Sequence, residues 1–216
     1  MLRKIATLPN RMIQRRVPQR GYKLESALIV VCGILGAIGI GYVGARALGT
    51  VEGGVESLRF EFIGAAIRPL VALLVLWIGY TVVSHVLANV YNGRGPVSRL
   101  FRASAWSLVP IGLWVAMRSV AIFVLFMDET IPAEPDGFGA EAKFNSIAEL
   151  GLDSPVYGAV MLSGVLFAAW SWYLLSIGVA EAKELSEDQA RRVAAVPAGA
   201  VALFIVWMGL TALGVL

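Results

Sequence analysis

The sequence predicts an all-α fold: a polytopic membrane helical bundle of five transmembrane helices, N-terminus cytoplasmic, C-terminus outside. Three observations carry this. The 216 residues are 58% hydrophobic and only 15% charged, where a soluble domain carries about a quarter charged residues. The apolar residues gather into runs of roughly twenty, the length at which a helix rising about 1.5 Å per residue crosses a hydrocarbon core about 30 Å thick. The charges lie between those runs, not interspersed along amphipathic helices.

Two of the runs, joined by a short basic turn, organise the rest. Leu70 to Ala88 contains one histidine and no formal charge, and Ser107 to Met127 contains one charge, Arg118. Between them Asn92, Gly93, Arg94, Gly95 and Pro96 form a turn. Its glycines permit unusual backbone angles, its proline pre-sets φ, and Arg94, Arg99 and Arg102 suit a cytoplasmic surface.

Taken in order, the chain opens on a basic cytoplasmic tail, residues 1–24, with no acidic residue before Glu25. Within it Arg11, Arg15, Arg16 and Arg20 are placed to contact anionic lipid, each basic residue near the surface contributing about 1 kcal/mol; the same residues would also serve as a plain topology signal. The five-helix domain, residues 25–216, has spans at about 26–48, 69–90, 105–127, 156–180 and 193–215. The first run is too long for the apolar region of a signal peptide and reads as a retained span. Gly33, Ala37, Gly41 and Ala45 recur every four residues along it, a spacing that lets another helix approach closely in lipid. Gly39-Ile40-Gly41-Tyr42-Val43-Gly44 matches a dinucleotide fingerprint in letters only, since it lies mid-membrane and no strand precedes it.

A loop at about 49–66 leads to the second span, entered through Arg68-Pro69, where proline suits a first helical turn. The loop from Asp128 to Ser154 is acidic, and 140–150 within it has the pattern of a short surface helix. The fourth span has Trp170, Trp172 and Tyr173 in its later half. Ser186 with Gln189 forms a capping box, with Glu187 and Asp188 suiting the positive end of the helix that follows. Pro197 lies inside the fifth span and should bend it.

Orientation follows from the basic residues. With the tail inside, thirteen flank the spans on that side, against Arg46, Arg59, Arg68 and Lys143 on the other. The positive-inside rule therefore sets the N-terminus in the cytoplasm of a multi-pass cell-membrane protein.

Arg118 is the charge placed near mid-membrane. Its insertion costs about 2.5–3.5 kcal/mol, offset by about 0.3–0.6 from each Leu, Ile, Val and Phe of its span. An intramembrane arginine marks a functional candidate, suited to an anion or a lipid head group. With His85 it makes up the candidate intramembrane polar site, although a single histidine without an acidic partner is a poor proton relay. Cys32 and His85 are the only residues of their types, so no usual zinc or haem centre, and no cofactor, is expected. Ser163 and His85 offer the sole serine–histidine pairing, without the glycine two residues before the serine that nucleophile turns of intramembrane proteases usually show, and no enzyme is expected.

Several segments resemble the Yip domain family, five-span membrane proteins whose eukaryotic members interact with Rab-type GTPases. Thr7-Leu8-Pro9-Asn10-Arg11-Met12 is similar to the proline-containing segment before that family's first span. His85 through Gly95, then Phe101 and Ala105-Trp106-Ser107-Leu108-Val109-Pro110, resembles its central hairpin. Trp172-Tyr173-Leu174-Leu175 through Ala182, Leu185-Ser186 and Ala190 resembles its fourth-loop pattern. The composition suits a prokaryotic or archaeal-type member. The cytoplasmic tyrosine–glycine motif of eukaryotic members is absent, Tyr157-Gly158 falling outside on this topology, so GTPase binding is carried to no residue here.

The resulting expectation is a non-enzymatic scaffold or adaptor, with a transporter or channel component around Arg118 and His85, or an accessory subunit of a larger complex, as alternatives. The expected partners are the bilayer and its anionic lipids, and other membrane proteins or a second copy, with no nucleic acid. On a Cys32→Ser background, single cysteines placed between Glu181 and Arg192 are expected to resist a membrane-impermeant maleimide applied outside, while those between Asp128 and Ser154 react. Labelling of the 181–192 segment from outside would reverse the orientation.

Overall fold

The structure is a computed structural model that describes residues 23–48, 55–128 and 154–213. Six helices build it: α1 (Lys23–Leu48), α2 (Val55–Val90), α3 (Val97–Ser107), α4 (Val109–Leu125), α5 (Pro155–Lys183) and α6 (Glu187–Ala212). They supply five stretches long and apolar enough to cross a membrane, with α3 and α4 together making the third. Helices are what such sequences must form, because hydrocarbon offers no partner to an unpaired backbone N–H or C=O. The basic tail and the 140–150 segment lie outside the described residues.

Between 28% and 39% of each span is buried inside the bundle, so most of every helix faces outward. Val75, Leu166 and Leu203 are 62%, 74% and 73% exposed, and a continuous apolar exterior of this kind suits lipid. Inside, α5 packs along α6, α1 lies against both α2 and α4, and α3 and α4 both reach α5. The core runs through Ile29, Leu73, Tyr80, Leu108, Ile111, Met161 and Leu175.

Two helix boundaries differ from the sequence reading. First, α2 starts at Val55 and runs through Pro69, so the proline is interior and the 49–66 loop is shorter than expected. An interior proline forfeits one backbone hydrogen bond and crowds the preceding turn. Here neighbouring helices hold it: Pro69 is buried and lies where a Cβ on Gly36 would approach its own Cβ to 3.0 Å. Second, the third span is broken at Leu108. Pro110, buried in the first turn of α4, disfavours a continuous helix through the residue before it. The short helix α3 is tied to α2 instead. Trp77 Nε1 donates to the Phe101 carbonyl at 2.7 Å, the two rings stack with centroids 4.2 Å apart, and the Thr81 and Ser104 hydroxyls share a hydrogen bond of 2.6 Å.

The close-packed face of α1 also differs from the expected one. Gly33, Gly36, Gly39 and Gly44 are buried, against Leu70, Val115, Ser119 and Phe62 respectively. Gly39 is the tightest: a Cβ there would collide with the Ser119 carbonyl, and its amide donates to Ser119 Oγ at 2.7 Å. Of the expected stripe only Gly33 is fully buried. Ala37 is half-buried, Gly41 and Ala45 are exposed, and nothing lies within 4 Å of a Cβ on Gly41. The reason is geometric. Each four-residue step turns about 40° further one way round a helix of 3.6 residues per turn, which carries Gly41 and Ala45 off the side where Gly33, Gly36, Gly39 and Gly44 meet α2 and α4. Gly39→Ala is therefore expected to cost about 1–3 kcal/mol through overpacking, while Gly41→Ala is neutral or slightly stabilising. Thermal unfolding of both variants in the same detergent checks the contrast, and equal losses would contradict it.

Candidate functional site

Two regions of the bundle gather polar side chains. At the end carrying the 91–96 turn, α2 stops in a Schellman arrangement, with Gly93 N–H donating to the Ala88 carbonyl at 2.9 Å and Asn92 N–H to the Asn89 carbonyl at 3.0 Å. Asn92 takes φ 60°, a left-handed conformation that asparagine tolerates. The end of α5 closes similarly, with Leu185 N–H donating to the Ala180 carbonyl at 3.2 Å across Glu184 at φ 55°. The two ends then interlock. Arg94 N–H donates to the Lys183 carbonyl at 2.8 Å, and Lys183 Nζ donates to the Gly95 carbonyl at 2.8 Å. Lys183 is only 1% exposed, so its ammonium is a structural clasp and not a surface charge. Gly95 is required by the contact, because a Cβ there would run into the Ala182 carbonyl oxygen. Arg94 and Pro96 stay exposed on the rim of the turn. Ser84 Oγ and His85 Nδ1 are buried near this end without hydrogen-bond partners among the described residues.

The second region is a cavity of about 740 Å³ bounded by α1, α2, α4, α6 and the first turn of α5. Its walls are apolar: Leu73 and Leu76 from α2, Ile111 and Trp114 from α4, Val201 and Ile205 from α6. Trp114 is fixed by donating from Nε1 to the Val160 carbonyl at 3.0 Å. Among the described residues two charged side chains line the cavity, Arg68 and Arg118, and no acidic one does. Neither guanidinium has a hydrogen-bond or ion-pair partner among the described residues. Arg118 lies seven residues before Leu125, the end of α4, about 10 Å along the axis. It therefore belongs to the half of the bundle away from the turn and not to its middle. Arg68 lies nine residues after Arg59, where its span begins, about 14 Å along an antiparallel helix. Gly36 meets both Pro69 and Val115, so the two cations lie within about one helical turn of each other in depth. At the same end Arg46 Nη1 donates to the Phe126 carbonyl, and to that of Met127 at 3.1 Å, neutralising the negative end of α4.

Arg118 and His85 are thus not brought together: the first lines the cavity, the second sits by the turn. Arg118 is joined by Arg68, which the sequence places at the entry to the second span, just outside it, because Pro69 suits a helix start. The signal that would have found it is the unbroken apolar pattern upstream of Pro69. Lys183 was counted as a loop cation, and nothing in the sequence marks its burial. Ser163 donates to the Val160 carbonyl of its own helix at 2.7 Å. Tyr157 is buried and lines the cavity. Arg11, Arg15, Arg16 and Arg20 lie outside the described residues.

The family model of the Yip1 domain matches residues 6–209. No curated protein and no solved structure matches the chain.

The interlock of the two helix ends generates a paired expectation. Gly95→Ala should lower the thermal midpoint by the equivalent of about 1–3 kcal/mol, because the methyl would run into the backbone of Ala182 and Lys183, which cannot move aside as a side chain can. Glu184→Gly should raise it by about 1 kcal/mol, because a left-handed glutamate carries a penalty that glycine lacks. Unfolding curves of the two variants beside the parent protein check both signs.

Proposed function

The chain belongs to the Yip1 domain family, and from that membership we propose that it is a non-enzymatic scaffold or adaptor of the cell membrane. In this reading it binds other membrane proteins, or a second copy of itself, and organises lipid, with the 91–96 turn and the basic tail on the cytoplasmic side. The family is generally not enzymatic.

The observation that carries the reading is where polarity is used. Hydroxyl and indole groups inside the bundle are largely spent on helix-to-helix or intrahelical hydrogen bonds, as with Thr81, Ser104, Trp77 and Trp114. The cavity that remains has apolar walls with two cations. An aqueous route for a polar solute needs a file of hydrogen-bonding groups along its length, whereas apolar walls suit acyl chains and apolar helix faces.

The transporter alternative draws on the same two arginines, so flux is the discriminating measurement. Chloride efflux from vesicles containing the purified protein is expected to match that from protein-free vesicles. A flux above that level, abolished by Arg118→Leu with the protein still assembled, would replace the scaffold reading with a conducting one.

A further inference from the structure

We infer that the cavity is a binding site for an anionic phospholipid of the surrounding bilayer, its phosphate held between Arg68 and Arg118 and an acyl chain lying in the apolar chamber. The inference rests on the lipid-organising part of the proposed function and names the lipid class and the seat.

Charge complementarity is the first argument. Two guanidinium groups line one chamber, and among the described residues there is no carboxylate on its walls and no hydrogen-bond or ion-pair partner for either. Intramembrane arginines are usually compensated by a partner or a water-filled cavity, and apolar walls offer no stable water network. A phosphate supplies what is missing. The planar guanidinium fork matches phosphate oxygens in pairs, which a lysine ammonium cannot do. An anionic head group leaves the phosphate charge uncancelled by a choline or ethanolamine, and so balances the two cations better than a zwitterionic lipid does.

Access is the second argument. The lining residues that stay exposed are Arg68, Ala72 and Val75 on α2 and Ala200 and Phe204 on α6. They mark a mouth between those helices on the outer, apolar surface of the bundle. A ligand therefore enters from the hydrocarbon side, which a lipid can do and inorganic phosphate cannot.

Layout is the third. The stretch Arg59–Val90 is 32 residues long, about 48 Å as a helix against a hydrocarbon core of about 30 Å. With the excess shared between its ends, Arg68 falls a few ångströms inside the hydrocarbon boundary, within reach of a head group. Below the arginines, towards the turn end, Leu73, Leu76, Ile111 and Trp114 continue the wall for an acyl chain. Above them, the buried rings of Phe62 and Phe126 close the apolar wall.

The test uses the full-length protein in nanodiscs of phosphatidylcholine, with and without a minor fraction of phosphatidylglycerol, and native mass spectrometry of the lipid that stays bound after release. Phosphatidylglycerol is expected to be retained over phosphatidylcholine and to raise the thermal midpoint. The double variant Arg68→Leu, Arg118→Leu should reduce that preference about tenfold or more, and Arg68→Lys with Arg118→Lys should recover only part of it. Ala72→Phe, which narrows the mouth without changing charge, should lower retention of both lipids, and it keeps the test decisive where the leucine variant does not fold. Preference unchanged in a folded leucine variant would overturn the proposal, as would equal retention of the two lipids. A midpoint shift of the same size from inorganic phosphate or from palmitate would also overturn it, the site then reading an anion or a fatty acid. A protein that still recruits membrane partners but shows no lipid preference would sink this inference alone and leave the scaffold reading standing.

Discussion

Backbone contact between α1 and its neighbours is the constraint on which the bundle depends. Lipid tails are as apolar as leucine, so helices gain little by hiding apolar side chains from them; association comes from dispersion at close range and from hydrogen bonds. Gly39 meets the backbone of Ser119, Gly33 meets Leu70, and Gly36 meets Pro69 and Val115. These approaches fix α1 against α2 and α4 at once. They also set where the helices cannot meet, and the cavity beginning beside Ile40 and Val43 of α1 is the space left over.

The two ends of the bundle use polar chemistry differently. At the turn end the polar groups mostly face one another: Lys183 with the Gly95 carbonyl, Arg94 N–H with the Lys183 carbonyl, Thr81 with Ser104. Each bond adds a modest net stabilisation, but breaking one strands a buried group at a greater cost. The connection between α2 and α3 is thereby registered to the end of α5, and through the capped start of α6 to the last helix. At the other end, Arg46 closes on the carbonyls of Phe126 and Met127, while Arg68 and Arg118 have no hydrogen-bond or ion-pair partner among the described residues. Ser84 Oγ and His85 Nδ1 are exceptions at the turn end, and the arginine pair that lines the cavity is the more chemically available of the two polar regions.

Proline illustrates how environment decides the meaning of a residue. Pro110 breaks the third span at Leu108, while Pro69 and Pro197 lie inside continuous helices. In those two cases the proline is buried within the bundle. In the third the chain turns to a separate short helix, whose inward face is stacked on α2.

Hydropathy alone determined that the protein is a five-span helical bundle, because a stretch of some twenty apolar residues has few other places to go than a bilayer. The capping box at Ser186 and the glycine turn at 92–96 were equally plain, since both rest on local backbone requirements that short motifs report. The family could be read from the order of its segments. What only the tertiary structure decided were the relations across the bundle: which glycines of α1 are touched, that Lys183 is buried against Gly95, and that Arg118 shares a cavity with Arg68 and not with His85. These depend on the rotation of each helix about its own axis and on its offset along it. Lipid makes nearly every face apolar and so removes the amphipathic pattern from which those two quantities are read in a soluble protein.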